Sequence, residues 1–227
     1  MDRRQWIVNS KGITIELFEH KLTPELAYLI GYVGFGADGH VNKNRIIAYG
    51  GIGDCLEEIV AKLLSKYGNV TKITEGRTWK LVLNSRALAS LFVSNMERNY
   101  DILKHVLVSP FKYAYLAGLI DAEGTIELTK EKDRNSFRKA HVTIRMSEIN
   151  LKTLETVHMA FPDSKLKPLK RSALFPTING KIVRSRRLWI LRFPKRRTKD
   201  ILSRVYHYIM HPKKRKALAV LLGIEAS

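Results

Sequence analysis

The sequence predicts a mixed α/β (α+β) fold in which one αββαββα unit occurs twice in tandem. An apolar periodic helix opens each half, alternating segments follow it in pairs, and the same order of elements returns after about 85 residues. Two copies of one unit in a single chain predict a pseudo-two-fold, like a homodimer fused into a monomer. We therefore expect related halves at residues 23–109 and 110–227, preceded by an extension of residues 1–22.

The first half is predicted to begin with a helix over 23–36, with Thr23 as its N-cap. Two short strands are expected around ADGHVN and RIIAYG, and a helix over 54–68 follows them. The strands NVTKIT and TWKLVL come next, and a helix over 85–100 closes the half. In the extension, GITIELFE is amphipathic, and the sequence leaves open whether it pairs as a strand or lies across the body.

The second half repeats this order. YAYLAGLIDA predicts a short helix closed by Gly124, and TIELTK and AHVTIRM predict a hairpin with one buried and one wet face. Ser147 is the predicted N-cap of an amphipathic helix that stops at Pro162. Two strands, KLKPLK and RRLWILRF, follow, and the last segment predicts helix on either side of Pro212.

Charge and cysteine content restrict the class of protein. The 40 Lys and Arg against 21 Asp and Glu give a net charge of +19, of which +16 falls in residues 110–227. So large a surplus indicates a polyanionic partner. The single cysteine excludes an internal disulfide framework, and no apolar run is long enough to span a bilayer. We expect an intracellular protein, cytoplasmic or in an organelle matrix, that is not secreted and has no membrane partner.

The segment YLAGLIDAEG is small and apolar apart from Asp121 and Glu123. It resembles the LAGLIDADG motif of the homing endonucleases, from which it differs only by Glu123 in place of Asp, and the αββαββα order of both halves is also that of this family. The first copy, LIGYVGFGADG, resembles the motif at both ends but needs about two extra residues in between. It places Asp38 at the position equivalent to Glu123.

The two segments that resemble the motif share small residues and a terminal acid, and both features have a physical explanation. Small residues allow two helices to approach closely, and both segments supply them: Ala117, Gly118 and Ala122 in one, and Gly31, Gly34, Gly36 and Ala37 in the other. We expect the helices to run parallel under the pseudo-two-fold, so that their C-terminal ends and acids meet. Because a helix C-terminus already carries about half a negative charge, acids there attract a divalent cation such as Mg²⁺, which prefers carboxylate oxygens.

The resemblance implies a monomeric DNA endonuclease that binds a long asymmetric duplex site and hydrolyses both strands with Mg²⁺. Mn²⁺ is expected to substitute, and Ca²⁺ to bind without cleavage. A lysine near the scissile phosphates could stabilise the developing charge. The candidate metal ligands and catalytic residues are Asp38, Glu123, Ala37 and Ala122 for the metal, with Asp38, Glu123, Lys213 and Lys104 for catalysis. Asp121 is expected to orient the motif helices rather than to bind metal.

The same resemblance implies two sheets that form a saddle whose concave face lies in the major groove. A twisted ribbon fits there, and Arg or Lys can read guanine edges, whereas the basic loop after residue 129 is expected to hold phosphates. The candidate DNA-binding residues are Lys43, Arg45, Arg77, Lys80, Thr125, Glu127, Thr129, Lys130, Lys132, Arg134, Arg138, Lys139, His141, Thr143, Arg145, Lys165, Lys167, Arg187 and Arg192.

Three alternatives stay open at this stage. The irregular first motif, and Met146-Ser147 where the family often has Gln or Lys, favour a non-cleaving nucleic-acid binder such as an intron RNA maturase. A nickase results if Asp38 is misplaced. A ribosomal or chromatin-type protein would share the charge but would not need paired acids. Trp79 and Trp189 are expected in the core.

Overall fold

The computed structural model of the protein describes residues 6–10, 13–17, 22–34, 39–42, 44–51, 55–85, 88–89, 101–130, 137–169, 174–176, 182–184 and 188–224. Some of these are described by their backbone alone, namely residues 6–10, 13–17, 39–42, 101, 130, 137–139, 174–176 and 182–184. Most of the predicted closing helix over 85–100 lies outside the described residues.

The first half forms a four-stranded antiparallel sheet with helices packed against it. The Thr23 hydroxyl accepts a hydrogen bond from the Leu26 N–H at 3.2 Å, which confirms the predicted N-cap of α1. The strands β1 and β2 of the extension pair with each other. The elements are β1 (Trp6–Ser10), β2 (Ile13–Leu17), α1 (Pro24–Val33), β3 (Gly39–Asn42), β4 (Arg45–Gly51), α2 (Leu56–Leu64), β5 (Val70–Glu75), β6 (Thr78–Asn84) and α3 (Asp101–Val108).

The second half forms another four-stranded antiparallel sheet. Ser147 does not cap the helix as predicted, because a 3₁₀ turn over Glu148–Asn150 comes first and the Ser147 side chain makes no capping hydrogen bond. The elements are α4 (Lys112–Glu123), β7 (Gly124–Lys130), β8 (Phe137–Ser147), α5 (Leu151–Ala160), β9 (Lys165–Pro168), β10 (Leu174–Pro176), β11 (Ile182–Arg184), β12 (Leu188–Pro194), α6 (Lys195–Tyr206) and α7 (Pro212–Leu222).

The two sheets have the same strand order. The first runs β3-β4-β6-β5 and the second β7-β8-β12-β9. In both, the first two strands of the half form a hairpin, and the last strand lies between the second and the third. The small hairpin β10-β11 is inserted before the last strand of the second sheet. The mixed α/β fold with antiparallel sheets, predicted from the alternating segments, is confirmed.

Alternation along the strands decides which side of each sheet faces the helices. Ile46 and Ala48 on β4, like Val142 and Ile144 on β8, are fully buried in the core, while the residues between them lie on the other face. Trp79 is buried as predicted, and Trp189 is partly buried against the core. No helix among the described residues is long and apolar enough to cross a membrane.

The helices α1 and α4 pack against each other with their backbones in contact. A Cβ on Gly31 would overlap the carbonyl oxygen of Tyr115, and a Cβ on Gly118 would overlap that of Tyr28. The relation is reciprocal, since Gly118 follows Gly31 by 87 positions and Tyr115 follows Tyr28 by the same number. The glycines therefore place the two motif helices about a local pseudo-two-fold, as their small residues predicted.

Candidate functional site

Glu123 is the last residue of α4 and lies where the helix joins strand β7. The Gly124 N–H donates to the Ile120 carbonyl and ends the helix. A Cβ on Gly124 would lie 2.5 Å from that carbonyl oxygen, so this position requires glycine for space. The half-buried Glu123 side chain is thus held within one residue of a fixed junction.

Asp121 is buried, with 3 % of its surface exposed. Its Oδ2 accepts hydrogen bonds from the Tyr28 hydroxyl at 2.8 Å, the Met210 N–H at 2.8 Å and the His211 N–H at 3.1 Å. Burial raises the pKa of Asp121, and the three donors oppose the rise. Because these donors come from α1 and from the segment leading into α7, Asp121 fixes three parts of the chain together, in agreement with its predicted orienting role.

Lys214 contacts the same helix end from the opposite direction. Its Nζ donates to the Ile120 carbonyl at 2.9 Å and to the Asp121 carbonyl at 2.7 Å. Lys213, the candidate for a cation near the scissile phosphates, is exposed on α7, and that role stays a prediction; its neighbour Lys214 is the residue that contacts the motif helix. The basic run was the available signal, but the choice within it depends on the rotation of α7 relative to α4.

The first copy of the motif differs from the second in length. The helices α1 and α4 superpose at an offset of 87 positions, whereas β3 starts at Gly39 and β7 at Gly124, an offset of 85. Two extra residues therefore lie between helix and strand in the first copy, as the sequence predicted. At the helix offset the counterpart of Asp121 is Gly34, which has no carboxylate. Asp38 and Ala37, which directly precede β3, lie outside the described residues.

The described part of the predicted metal site fits a hard cation. Its donors are the carboxylate of Glu123 and the backbone at Ala122, at the negative end of a helix dipole. Oxygen donors of this kind suit Mg²⁺ or Ca²⁺. Within the part of the chain that the structure describes, no group of three or more His, Cys, Asp or Glu side chains forms a metal cluster, so the second predicted acid, Asp38, would have to complete the site.

The polar face of β7 and β8 contains a linked group of three side chains. Glu127 Oε1 accepts a hydrogen bond from Arg145 Nη2 at 2.9 Å, and its Oε2 lies 3.3 Å from His141 Nε2. The prediction that the whole face is wet is wrong for His141 and Thr143, which are 7 % and 0 % exposed. Both lie on β8, an inner strand of the sheet. Glu127 contacts His141 and Arg145, which flank Thr143 on this face. Arg145 is exposed, as expected.

The cross-strand register places further predicted residues on this face. Lys165 pairs with Arg192, Arg192 with Thr143, and Thr143 with Thr125, which forms one row across all four strands. Lys165 and Thr125, at the two ends of this row, are exposed, and so are Lys167 and Thr129. This face therefore offers cations on β8, β9 and β12 and hydroxyls on β7.

The first sheet offers fewer described cations. On β6, the Lys80 Nζ lies 5.9 Å from the centre of the Tyr49 ring and 3.7 Å from Glu75 Oε1. Arg45 and Arg77 are exposed at strand ends and turns, and Lys104 is exposed on α3. Predicted sites that fall outside the described residues, or are described by backbone alone, are Lys43, Lys132, Arg134, Arg187, Lys130, Arg138 and Lys139.

Many solved structures that share this fold over most of the chain are single-chain LAGLIDADG homing endonucleases. I-DmoI in complex with DNA and Ca matches with a TM-score of 0.54 and 16% identity, over 87% of this chain and 97% of that chain. I-SmaMI bound to cleaved DNA matches with a TM-score of 0.52 and 11% identity, over 89% and 88%. I-GzeII in complex with a DNA target has a TM-score of 0.50 and 11% identity, over 88% and 89%. No protein-family model and no curated protein matches the chain.

Proposed function

We propose that this protein is a site-specific DNA endonuclease of the homing type, in which Glu123 is a catalytic acid and metal ligand. The observation that supports it best is the reciprocal contact of Gly31 and Gly118, which brings the two motif helices together and leaves an acid at the end of α4. A helix end that already carries partial negative charge gains no stability from such an acid. Its position is understandable if a cation binds there.

Glu123 and Ala122 would hold a divalent cation, together with Asp38 and Ala37 from the first copy. A bound Mg²⁺ supplies a more acidic water and neutralises charge on the phosphate. The protein's own part is to hold the Glu123 carboxylate at the α4–β7 junction. The presence of Ca in the I-DmoI complex supports the choice of a divalent cation; Mg²⁺ as the working ion is our proposal.

DNA binding is assigned to the polar faces of the two sheets. The second sheet presents Arg145, Arg192, Lys165 and Lys167 on one face, and the half that contains it holds +16 of the net charge. Cations on a twisted antiparallel sheet can contact both phosphates and guanine edges in the major groove. We expect double-stranded DNA as the partner and a long asymmetric site, because the two sheets differ in sequence and charge.

The test is cleavage of a supercoiled plasmid library of candidate insertion sites, with Mg²⁺ or Ca²⁺, by the wild type and by Glu123→Gln. Glu155→Gln, an exposed acid on α5, is the matched control. Linear product with Mg²⁺ that is lost only in Glu123→Gln supports cleavage of both strands. Nicked circles alone would restrict activity to one half and implicate Asp38. DNA binding with no cleavage in either metal would overturn the proposal.

Binding of intron RNA without cleavage is the second candidate. It is favoured by the first motif, which has two extra residues before β3 and Gly34 in place of a second Asp121. Competition between labelled target DNA and structured intron RNA separates the two: preferential retention of the RNA, together with no nicking, would favour the maturase.

A further inference from the structure

Lys214 and Asp121 form a reciprocal cap between two helix ends. Directly before α7, the N–H groups of Met210 and of the N-cap residue His211 donate to the Asp121 carboxylate. In return, Lys214 in the first turn of α7 donates to the last-turn carbonyls of α4. A carboxylate thus meets the positive end of one helix and an ammonium the negative end of the other. Each contact has the favourable sign for a helix dipole.

The reciprocal cap fixes the segment that contains the candidate site. The Asp121 carbonyl is held by Lys214, and the Gly124 N–H is held by Ile120. Only Ala122 and Glu123 lie between these two fixed peptide groups. Both ends of this two-residue segment are therefore held by hydrogen bonds, one of them by Lys214.

Lys214 is already committed to protein contacts. Its Nζ makes two hydrogen bonds of 2.7 and 2.9 Å to carbonyls, and its side chain is half-buried. To reach a phosphate it would have to leave both acceptors. Lys213 and Lys216, by contrast, are exposed on α7. Neighbouring residues on a helix point in different directions, so Lys214 and the two exposed lysines lie in different surroundings.

We propose that Lys214 is a positioning residue for Ala122 and Glu123, and that it controls the rate of cleavage rather than the affinity for DNA. This inference rests on the proposed endonuclease function. Removing the ammonium while keeping the stem, as in Lys214→Met, frees the last turn of α4. The carboxylate then samples directions that are unproductive, and a misplacement of about 1 Å can cost about a hundredfold in rate.

The experiment compares the full-length wild type, Lys214→Met, Lys214→Arg and the control Lys216→Met. Single-turnover cleavage with saturating enzyme gives the rate, and DNA titration in Ca²⁺ gives the Kd. Hydrogen exchange of peptides covering residues 119–125 reports on the end of α4. All measurements are made at a temperature at which every variant is folded.

For Lys214→Met we expect the rate to fall about tenfold or more, with the Kd changed less than about threefold and faster exchange at the end of α4. Lys214→Arg should recover part of the rate, because the guanidinium can still donate to both carbonyls. Lys216→Met should keep the wild-type rate.

Two results would overturn the inference while leaving the endonuclease in place. The first is a wild-type rate in Lys214→Met, even with a lower melting temperature, since it would mean a purely structural contact. The second is a tenfold weaker Kd with an unchanged rate, which would mean a phosphate contact. Absence of cleavage by the wild type itself would overturn the proposed function and this inference together.

Discussion

Replacing Gly118 by alanine tests the central contact between α1 and α4. The added Cβ would overlap the Tyr28 carbonyl oxygen and lie 3.0 Å from both the Tyr28 carbonyl carbon and the Tyr32 nitrogen. Ordinary contacts of a Cβ begin at 3.4 Å. Since all three obstacles are backbone atoms of a buried helix, no side chain can rotate away. The two helices must separate instead.

The magnitude follows from this separation. The two 3.0 Å contacts alone require about 0.4 Å of separation, and the overlap with the oxygen requires more. A gap of about 0.5–1 Å loses about a quarter to a half of the dispersion energy of the atoms involved. Backbone overpacking of this kind costs about 3 kcal/mol. In a chain of this size the melting temperature should fall by about 6–12 °C.

Helix propensity alone predicts that Gly118→Ala raises the stability of the protein instead of lowering it, which makes the experiment decisive. Alanine is favoured over glycine by about 1 kcal/mol in a helix interior, so Gly118→Ala should stabilise the protein if the space were open. Gly51→Ala is the control, because a Cβ there meets nothing within 4 Å, and its effect should stay within about 0.5 kcal/mol. Gly31→Ala should match Gly118→Ala, and the double variant should cost less than the sum.

Urea and thermal unfolding followed by circular dichroism give these free energies. A midpoint for Gly118→Ala at or above that of the wild type would refute the backbone contact. The same outcome would remove the pseudo-two-fold helix pair on which the proposed site depends.

Three further predictions concern the buried acid and the polar sheet face. Tyr28→Phe removes a donor to Asp121 and should cost about 1.5 kcal/mol in urea unfolding; no loss would argue against the 2.8 Å bond. Because the folded pKa of Asp121 is raised above its ordinary 3.8, the folded state keeps a proton that the unfolded chain has released. Stability should therefore fall as pH rises from 3.8 through the folded pKa, and Asp121→Asn should flatten this part of the stability–pH curve. Arg145→Ala should weaken DNA binding about tenfold and lower the salt dependence by about one counterion, whereas unchanged binding would place Arg145 outside the interface.

The sequence predicted the fold because its signals are local. Turn residues separate segments whose alternation is of period two, and the motif helix is apolar on all sides, as a central helix must be. The role of Asp121 was also predictable in kind, since a carboxylate inside an apolar helix needs donors. Its particular donors, Met210 and His211, lie about 90 residues away and leave no local trace.

The errors arose where tertiary placement decides. Alternation on β8 identified the face of His141 and Thr143 correctly but not how deeply neighbouring side chains cover it. The contact of Lys214 with α4 could not be read from the run KKRK, where every residue has the same charge, because it depends on the rotation of α7 against α4; Lys213 as a residue near the phosphate stays a prediction. The hairpin β10-β11 was missed because its strands have only three residues each, too short for a periodic signal.

The reciprocal glycine contact also makes the second half complementary to itself. Its helix α4 contains Gly118, which packs against the Tyr28 carbonyl, and it also contains Tyr115, the counterpart of Tyr28. The same helix contains Asp121, and Tyr115 is also the counterpart of Tyr28 as the hydroxyl donor to Asp121. The first half has Gly34 at the position of Asp121 and lacks that acceptor. A chain of residues 110–227 therefore has what it needs to dimerise through α4, and sedimentation of that fragment should show a dimer, while a monomer would contradict this reasoning. Duplicating the second half is accordingly the simpler route to a symmetric protein.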